Sequence, residues 1–466
     1  MPARTRPPAR PRRRPTTTLR RVAVVTGLTA PLIGVAALIG AAPLPPPLGA
    51  CTGSACPDPF PGHNNGPFAG RDASISVFTG GDFSVRGRAA EAEGRIVVLG
   101  DISVDKTGGG SYNMGVAGVG SRVPPPDGTD FVTTGGNLTV ATGTTLLVGE
   151  GDPAFPAAPS AWGNVRHRGT STGTVGIAPN GRSLQDDTAG DAYTALRPYL
   201  TALSTCIARA TTTGTVRSDG FTVTFAGDGT SARQVFDVPG DIGTAGRAVD
   251  LVLTGIPAGA TVLVNLAAAD VLINTNTGSA LPGDQLTALG PKLMWNFPAA
   301  ATARITGGAQ FQGSVLGGNP AGTTTLSTPG LDGRVYLAGN LVHDSARSGV
   351  EVHDYPFNGD LPDFPSPSPS PSNSPSDSAS PSPSPSPSDS PSPTPSPSPS
   401  EPTSGTPHPS HSSGRPVVSP SASRTHHPLP STGSGPLLPA GAAAGGLLVA
   451  GGTALWAARR RRGRHS

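Results

Sequence analysis

The sequence is poor in aromatic residues: three tryptophans, five tyrosines and 13 phenylalanines make up 5% of its 466 residues. A carbohydrate site that holds sugars by stacking needs exposed rings, so this shortage argues against one, although Trp162, Trp295 and Tyr336 could provide it. The apolar residues are mainly valine, isoleucine, leucine and alanine. These side chains stack well in the narrow interior of a β-helix.

Cysteine is also scarce, with Cys51, Cys56 and Cys206 only. In an exported protein an odd number leaves one thiol free or modified. A local disulfide between Cys51 and Cys56 would leave Cys206 buried on a helix. If Cys51 is lipidated or removed, Cys56 could pair with Cys206 instead. No CxxC pair or cysteine/histidine cluster has metal-ligand spacing, so the sequence predicts no metal site.

Basic residues are few outside the two ends of the chain. Residues 57–364 contain 18 lysines and arginines against 27 aspartates and glutamates, a net charge of −9. The sequence pI of about 9 comes from the arginine-rich ends. A nucleic-acid-binding domain needs a basic face, so this acidic composition excludes that class of partner.

Motifs for catalysis are absent as well, because the sequence has no HExxH, GxSxG, Walker or EF-hand motif. The acidic pair of Glu91 and Glu93 is interpreted as solvated surface charges, and the pair of Asp186 and Asp187 as a helix cap. Two His-Asp pairs are interpreted as polar turn residues, because no third metal ligand lies at a suitable spacing. They are His343 with Asp344 and His353 with Asp354. The sequence therefore predicts no catalytic residue and no cofactor.

Long apolar runs occur near the two ends of the chain. Residues 437–458 are uncharged and would span about 33 Å as a helix at ~1.5 Å per residue, enough to cross a bilayer. Arginines that follow the run would be held on the cytoplasmic side, which places the rest of the chain outside. These arginines are Arg459, Arg460, Arg461, Arg462 and Arg464.

A pentapeptide precedes this apolar run: Leu429, Pro430, Ser431, Thr432 and Gly433. Together with the run and the basic tail, residues 429–466 resemble the LPxTG cell-wall sorting signal of Gram-positive surface proteins. The resemblance implies that a membrane-bound sortase attacks the carbonyl of Thr432, releases the part from Gly433 onward, and passes the chain to a peptidoglycan amine. The alternative is a chance pentapeptide before an ordinary C-terminal membrane anchor.

The N-terminus is predicted to be a signal peptide, residues 1–42. Eight arginines lie in residues 1–21 and precede an apolar stretch. A retained membrane helix is the alternative, and residues 48–51 loosely resemble a lipobox that would lipidate Cys51. Residues 43–67 are interpreted as a linker.

Residues 359–428 consist largely of Ser-Pro repeats. They have few apolar residues with which to build a core, and proline favours an extended chain. We interpret this segment as a disordered stalk that could reach up to about 200 Å at ~3.1 Å per residue. A passive linker is the alternative.

Between residues 68 and 358 the sequence predicts a mostly β domain. Short β-branched segments are bounded by Gly-Asp, Gly-Asn and Gly-Gly, which favours a β-solenoid over a sandwich or barrel, with glycine allowing positive φ at the corners. The predicted strands are 75–78, 95–99, 137–140, 145–148, 221–225, 249–253, 261–264, 271–274, 314–316 and 334–337.

One stretch of this domain has helical spacing. Its apolar residues predict an amphipathic helix within 186–210 that packs alongside the sheets, with Asp186 or Asp187 as a cap and a kink or break at Pro198. The residues of the apolar face are Ala192, Leu196, Tyr199, Leu200, Leu203 and Ile207.

The blocks Trp295-Asn-Phe-Pro298 and His353-Asp-Tyr-Pro-Phe357, in this order after the helix, resemble the choice-of-anchor A domain over most of residues 68–358. The resemblance implies a secreted adhesive domain, similar in style to ice-binding β-solenoids, without a defined ligand or catalytic residue. Threonine tracts such as Thr323-Thr324-Thr325 have no regular TxT register, so we expect no thermal hysteresis.

These features together predict a non-enzymatic adhesin on the cell wall. It would pass through the membrane during export, act as a transient sortase substrate, and bind an unknown matrix, host or neighbouring-cell ligand after covalent attachment to peptidoglycan. The alternatives are a polysaccharide-degrading enzyme on a β-helix scaffold and a structural coat or spacer.

Overall fold

The computed structural model describes residues 41–151, 160–346 and 348–364. The stalk from residue 365 onward, the sorting signal, the C-terminal apolar run and residues 1–40 of the predicted signal peptide lie outside the described residues. Within the described residues, no helix has both the length and the apolar character needed to cross a membrane.

The described part of the chain is mostly β. In chain order its strands are β1 (Ala41–Ala42), β2 (Ile75–Thr79), β3 (Phe83–Gly87), β4 (Glu91–Glu93), β5 (Arg95–Val98), β6 (Ile102–Lys106), β7 (Gly110–Gly115), β8 (Asp130–Thr134), β9 (Leu138–Val140), β10 (Thr144–Val148), β11 (Asn164–His167), β12 (Ser171–Thr172), β13 (Thr174–Ile177), β14 (Ser183–Gln185), β15 (Thr215–Ser218), β16 (Thr222–Ala226), β17 (Arg233–Val238), β18 (Asp250–Thr254), β19 (Thr261–Leu266), β20 (Asp270–Thr275), β21 (Leu293–Phe297), β22 (Thr302–Gly307), β23 (Gln310–Gln312), β24 (Ser314–Gly317), β25 (Thr323–Leu326), β26 (Gly330–Asp332), β27 (Val335–Leu337), β28 (Asn340–His343), β29 (Glu351–His353) and β30 (Leu361–Pro362).

Two α-helices, α1 (Leu196–Ala208) and α2 (Gln285–Leu289), and two 3-10 turns, Asp191–Tyr193 and Gly290–Lys292, complete the described elements.

Three parallel sheets form the faces of a solenoid. The first sheet has the strand order β14-β11-β8-β5-β2-β27-β24-β21-β19-β17, the second β12-β9-β6-β3-β28-β25-β22-β20, and the third β13-β10-β7-β4-β29-β26-β23. A typical coil contributes one strand to each sheet. A small sheet of β15, β16 and β18 and the antiparallel pair of β1 and β30 accompany them. The predicted β-solenoid is confirmed, and each of the ten predicted segments overlaps a strand.

The order of the coils along the stack differs from their order in the chain. The first coil, β2 to β4, starts in the middle of the stack, and successive coils lead to β14 at one end. After α1 the chain resumes at the other end with β17 and returns, until the last coil, β27 to β29, pairs with the first one. We call this junction of the first and last coils the seam.

The interior is a set of aliphatic ladders that run through the seam without interruption. On the first sheet, one inward-facing residue per coil lies directly above the next in parallel register. This ladder consists of Val264, Trp295, Val315, Val335, Val77, Ile96, Val132 and Val165, all buried. Each coil alone could not bury such a core, so the coils stabilise one another by stacking.

The outer side of the first sheet is covered by α1. The apolar face of the helix, including Leu200 and Leu203, packs against Phe78, Val97 and Tyr336 of the sheet in a second buried cluster. This confirms the predicted helix alongside the sheets. Leu44 and Leu48 belong to the same cluster, so part of segment 43–67, predicted as a linker, packs on the domain.

The start of the helix differs from the prediction. The helix begins at Leu196, ten residues after Asp186, and Asp186 instead accepts hydrogen bonds from Thr188 and pairs with Arg166. Pro198 lies in the first turn, where a backbone N–H has no intrahelical acceptor, so the proline causes no break. The predicted cap and kink are therefore wrong.

The Gly-Asx pairs noted in the sequence build a ladder at the corner between the first and second sheets. The side-chain oxygen of Asn340 accepts from the N–H of Asp82, that of Asp82 from Asp101, and that of Asp101 from Asn137, at 2.7–2.9 Å. A Cβ on the preceding glycines, Gly81, Gly100 and Gly136, would overlap the accepting oxygens. Lack of space, and not the expected positive φ, explains these glycines.

A buried ion-pair network lies at the seam. Arg334 is fully buried between Asp72 and Asp354, and its Nε donates to the carbonyl of Gly49 at 3.1 Å. Asp72 in turn accepts from the N–H groups of Thr52 and Ser74. One guanidinium therefore connects the last coil, the residue after it and the N-terminal segment.

We expect Arg334→Met to destabilise the domain by about 3–5 kcal/mol, because the buried carboxylates of Asp72 and Asp354 would lose the cation that balances their charge. Urea unfolding measures this change. The control is Arg304→Met, since Arg304 is exposed in β22, and its cost should stay within about 0.5 kcal/mol. Equal losses in the two variants would contradict the role of the network.

The Gly-Asx ladder gives a second prediction. Gly100→Ala should lower the free energy of unfolding by about 1–3 kcal/mol, because the new methyl group meets Asp82 and the backbone of Gly81. Gly240→Ala is the matched control, since open space surrounds Gly240, and it should change stability by less than about 1 kcal/mol. Unfolding midpoints that coincide would show that the corner tolerates a side chain.

Candidate functional site

The third sheet carries a row of polar residues on its outer side, centred on the seam. In parallel register, Gln312, Asp332, His353 and Glu93 lie on neighbouring strands, and beside this row Glu351 lies next to Glu91. Residues 60–66 and 117–122 contact this row through His63, Gly118, Ser121 and Arg122. Titratable groups are therefore collected on a face of the solenoid that these two segments partly cover.

Glu91 and Glu93 are not the solvated surface charges that the sequence predicted. Their exposed fractions are 1% and 0%. Glu93 accepts from the backbone N–H groups of Ser121, Arg122 and Asp354 at 2.7–3.0 Å. Alternation along β4 does place both carboxylates on one face, as expected, but that face is covered.

Burial controls the protonation of this glutamate pair. Burial, followed by repulsion from Glu351, raises the pKa of Glu91 to about 8. Burial also raises the pKa of Glu93, while His353 and the backbone donors oppose this shift. At neutral pH Glu91 is therefore mainly protonated, which reduces the charge that the sheet must hold.

The centre of the candidate site is Asp332, where two histidines converge. Oδ1 of Asp332 is 2.8 Å from Nε2 of His63 and 2.8 Å from Nδ1 of His353. The other nitrogen of His353, Nε2, is 2.9 Å from Oε2 of Glu351. The two imidazole rings touch edge to face with centroids 4.4 Å apart.

These contacts determine the charges at the centre. Burial lowers the pKa of His353, but its bonds to Asp332 and Glu351 outweigh burial and hold the pKa well above the usual value. Burial raises the pKa of Asp332, but the two histidines outweigh it and keep the pKa well below the usual range. Asp332 is therefore ionised, with His353 as its cationic partner.

The two His-Asp pairs are not turn residues as predicted. His343 ends β28 and His353 ends β29, and each is 1% exposed. Nδ1 of His343 lies 2.9 Å from the hydroxyl of Tyr112, and burial lowers the pKa of His343 to about 3, so this ring is neutral. Asp354 pairs with Arg334 at the seam.

A cavity of about 190 Å³ opens beside the cluster. One part of it is lined by His63, Asp332, Gln312 and Tyr355, and another by Thr287, Gly290 and Pro291. The ring of Tyr355 stacks on His63, and its buried hydroxyl has no hydrogen-bond partner among the described residues. Glu91 and Glu93 do not line this cavity, so a small ligand there would meet the His-Asp-His centre.

The second sheet presents a different surface, a row of small side chains in parallel register. Oγ of Ser103 donates to Oγ of Ser84 at 3.1 Å. The row consists of Thr172, Thr139, Ser103, Ser84, Val342 and Thr325, all half-buried or exposed. On the next strand, Arg304 lies beside Thr325. Arg86 and Asp105 lie beside each other two residues after Ser84 in β3 and Ser103 in β6. The row is therefore narrow and bounded by charge.

The other candidate residues of the sequence are dispersed. Trp295 and Tyr336 are buried at 1% and 0% exposure, so neither can stack on a sugar; Trp162 lines a surface groove near β14. Cys51 and Cys56 form a disulfide, and Cys206 has a free thiol that is partly exposed, not buried as expected. The residues of the sorting signal and its arginines lie outside the described residues.

Asp332 and His63 were missed by the sequence reasoning. They are 269 residues apart in the chain, so no local spacing could connect them. The one local signal was the block His353-Asp-Tyr-Pro-Phe357. His353 lies in the cluster, Asp354 pairs with Arg334 at the seam, and Tyr355 lines the cavity. Similarly, Asn296 of the other block joins β21 to α1 through Ser204.

The fold and this surface define a class: a parallel β-solenoid whose first and last coils meet in the middle of the stack, with one helix alongside. The chain belongs to the family described as "Putative Ice-binding-like adhesive domain", which matches residues 71–354, more than half of the 466 residues. No curated protein and no solved structure matches the chain. Family membership indicates an adhesive protein of the cell surface.

Glu93→Gln should lower the free energy of unfolding by about 1–3 kcal/mol, because an amide N–H₂ would replace an oxygen that accepts backbone N–H groups. Thermal or urea unfolding measures the change. Asp105→Asn in β6, where Asp105 is exposed, serves as the control and should change stability by less than about 0.5 kcal/mol. A Glu93→Gln variant as stable as the wild type would show that these bonds are not needed.

Proposed function

We propose that the protein is a cell-wall-attached adhesin that binds a matrix, host or neighbouring-cell polymer through the second sheet of its solenoid. The observation that carries this proposal is the match of residues 71–354 to an adhesive-domain family. The resemblance to choice-of-anchor A domains supports it, since members of that family are secreted and are attached by differing C-terminal anchors.

The second sheet is the best contact surface because the other two faces are engaged. The helix α1 and residues 44–48 pack on the first sheet, and residues 60–66 and 117–122 lie on the third. The outward side chains of the second sheet are small hydroxyl groups with charged neighbours. Such a surface offers hydrogen bonds to a hydroxylated or charged polymer.

A flat ice-binding array is a poorer description of the same surface. Of the threonine tracts, Thr324 on this sheet is buried, and Thr133 and Thr134 on the first sheet and Thr144 on the third are buried as well, all at 0–5% exposure. The remaining hydroxyl row is one residue wide at its centre, with Val342 inside it. We therefore keep the expectation that the protein causes no thermal hysteresis.

Attachment by sortase is the proposed route to the cell surface. The pentapeptide 429–433, the apolar run 437–458 and the arginine tail support it in the sequence, as the resemblance to LPxTG signals implies. The signal peptide and Ser/Pro stalk fit the same route. The polysaccharide-degrading alternative gains no support from Glu91 and Glu93, because both are buried away from the cavity.

Adhesion by the second sheet is tested with Thr139→Arg, which places a long cation in the hydroxyl row. Cells that display this variant should bind their ligand at least about tenfold more weakly, ~1.4 kcal/mol, in an array of glycans and matrix proteins. Thr215→Arg, on the exposed face of β15, controls for added charge and should bind normally. Equal binding by both variants would contradict this contact surface; an array without any ligand would favour the structural coat.

Sorting is tested with Thr432→Ala, which alters the residue whose carbonyl the sortase attacks. Most wild-type protein should leave the cell after digestion of the wall with a muralytic enzyme and should resist detergent. The variant should move to the detergent-soluble membrane fraction. Detergent release of the wild type would indicate a membrane anchor only.

A further inference from the structure

The His-Asp-His centre of the third sheet has the composition of a transition-metal site. The ligand atoms of His63, Asp332 and His353 all lie within 4.8 Å of one another. Two imidazoles with one carboxylate are a common protein ligand set for zinc and non-haem iron, and they leave a coordination position open. Neither calcium nor magnesium prefers nitrogen ligands.

The distances fit an ion after a small movement. In a tetrahedral site with bonds of about 2.0–2.1 Å, neighbouring ligand atoms lie roughly 3.3 Å apart. Oδ1 of Asp332 is now 2.8 Å from both imidazole nitrogens. An increase of about 0.5 Å in each of these two distances would reach the tetrahedral spacing, and His63 lies on a segment outside the solenoid strands.

The surrounding groups support the ligands as a second shell does in metal proteins. Metal-binding histidines usually donate their other N–H to a carboxylate, which orients the ring. Nε2 of His353 has this contact with Glu351 at 2.9 Å, while Nδ1 faces Asp332. Gln312 donates to the second oxygen of Asp332.

The two ring nitrogens that face Asp332 converge on the position an ion would take. Nδ1 of His353 and Nε2 of His63 both lie at hydrogen-bond distance from Oδ1 of Asp332. A divalent cation would occupy the position where two N–H groups now meet one oxygen, and it would replace the two protons there, because a metal-binding imidazole nitrogen carries no proton.

We propose that His63, Asp332 and His353 bind one divalent transition-metal ion of the zinc type, with its open coordination position directed to the cavity. Zinc suits an extracellular protein because it has no redox chemistry. His63 and Asp332 line the cavity of about 190 Å³, so an oxygen of a bound ligand could complete the coordination. The ion would also tie residues 60–66 to the last coils. This site is independent of the adhesive surface on the second sheet.

The test is a titration of the full chain, stripped with EDTA, with ZnCl₂ by calorimetry and with CoCl₂ by visible absorption. The stalk and tail contain five further histidines, His408, His411, His426, His427 and His465, which could also bind zinc. Variants are therefore needed to show which site is measured. His63→Gln and Asp332→Asn should each weaken one zinc equivalent by at least about 100-fold and abolish the tetrahedral cobalt spectrum. His167→Gln, which changes a histidine bonded to Gly169 and Ser183, should bind as the wild type does.

Two controls keep the result clear. Circular dichroism and the urea midpoint without metal establish that each variant folds; if Asp332→Asn does not, His63→Gln still tests the site. Zinc should raise the thermal midpoint of the wild type and of His167→Gln but not of His63→Gln, since binding to the folded state stabilises it. No saturable zinc binding, or equal binding by His63→Gln, would overturn the proposal, whatever the adhesion assays show.

Discussion

Arg334 lies fully buried between Asp72 and Asp354, where the first and last coils of the solenoid meet. Taking three charges out of water is costly, so this contact is useful only when all partners are present. The discontinuous chain order makes it necessary. Coils formed early and late in the sequence must pair in register, and a network that joins residues 262 positions apart favours one register over neighbouring ones.

The seam also creates the candidate site. Glu91 and Glu93 come from the first coil and Glu351 and His353 from the last, so these residues become neighbours only when β4 pairs with β29. Asp332 arrives one coil further along, and His63 from the segment that precedes the solenoid. Closure of the fold and assembly of the cluster are therefore the same event. The cluster on the third sheet and the Arg334 network therefore both depend on the pairing of the first and last coils.

Much of the architecture could be predicted from local patterns. Short β-branched segments bounded by Gly-Asx pairs indicate strands that are joined by tight corners. The strands and the solenoid class could therefore be predicted from local sequence. The helix face of Leu196, Leu200 and Leu203 follows from the 3.6-residue period in the same way. The helix start and the role of Pro198 were wrong, because Asp186 found partners in Thr188 and Arg166 instead of capping.

Burial and pairing could not be predicted, because they depend on residues distant in the chain. Alternation placed Glu91 and Glu93 on one face of a strand, but only the loop of residues 117–122 decided that this face is covered. Histidine spacing offered no third metal ligand, since His63 reaches Asp332 across 269 residues. The sequence by itself determined the β-solenoid, its corners and its flanking helix, because these follow from short-range periodicity. Tertiary structure alone decided the coil order, the seam and the His-Asp-His centre, because these depend on which distant strands pair.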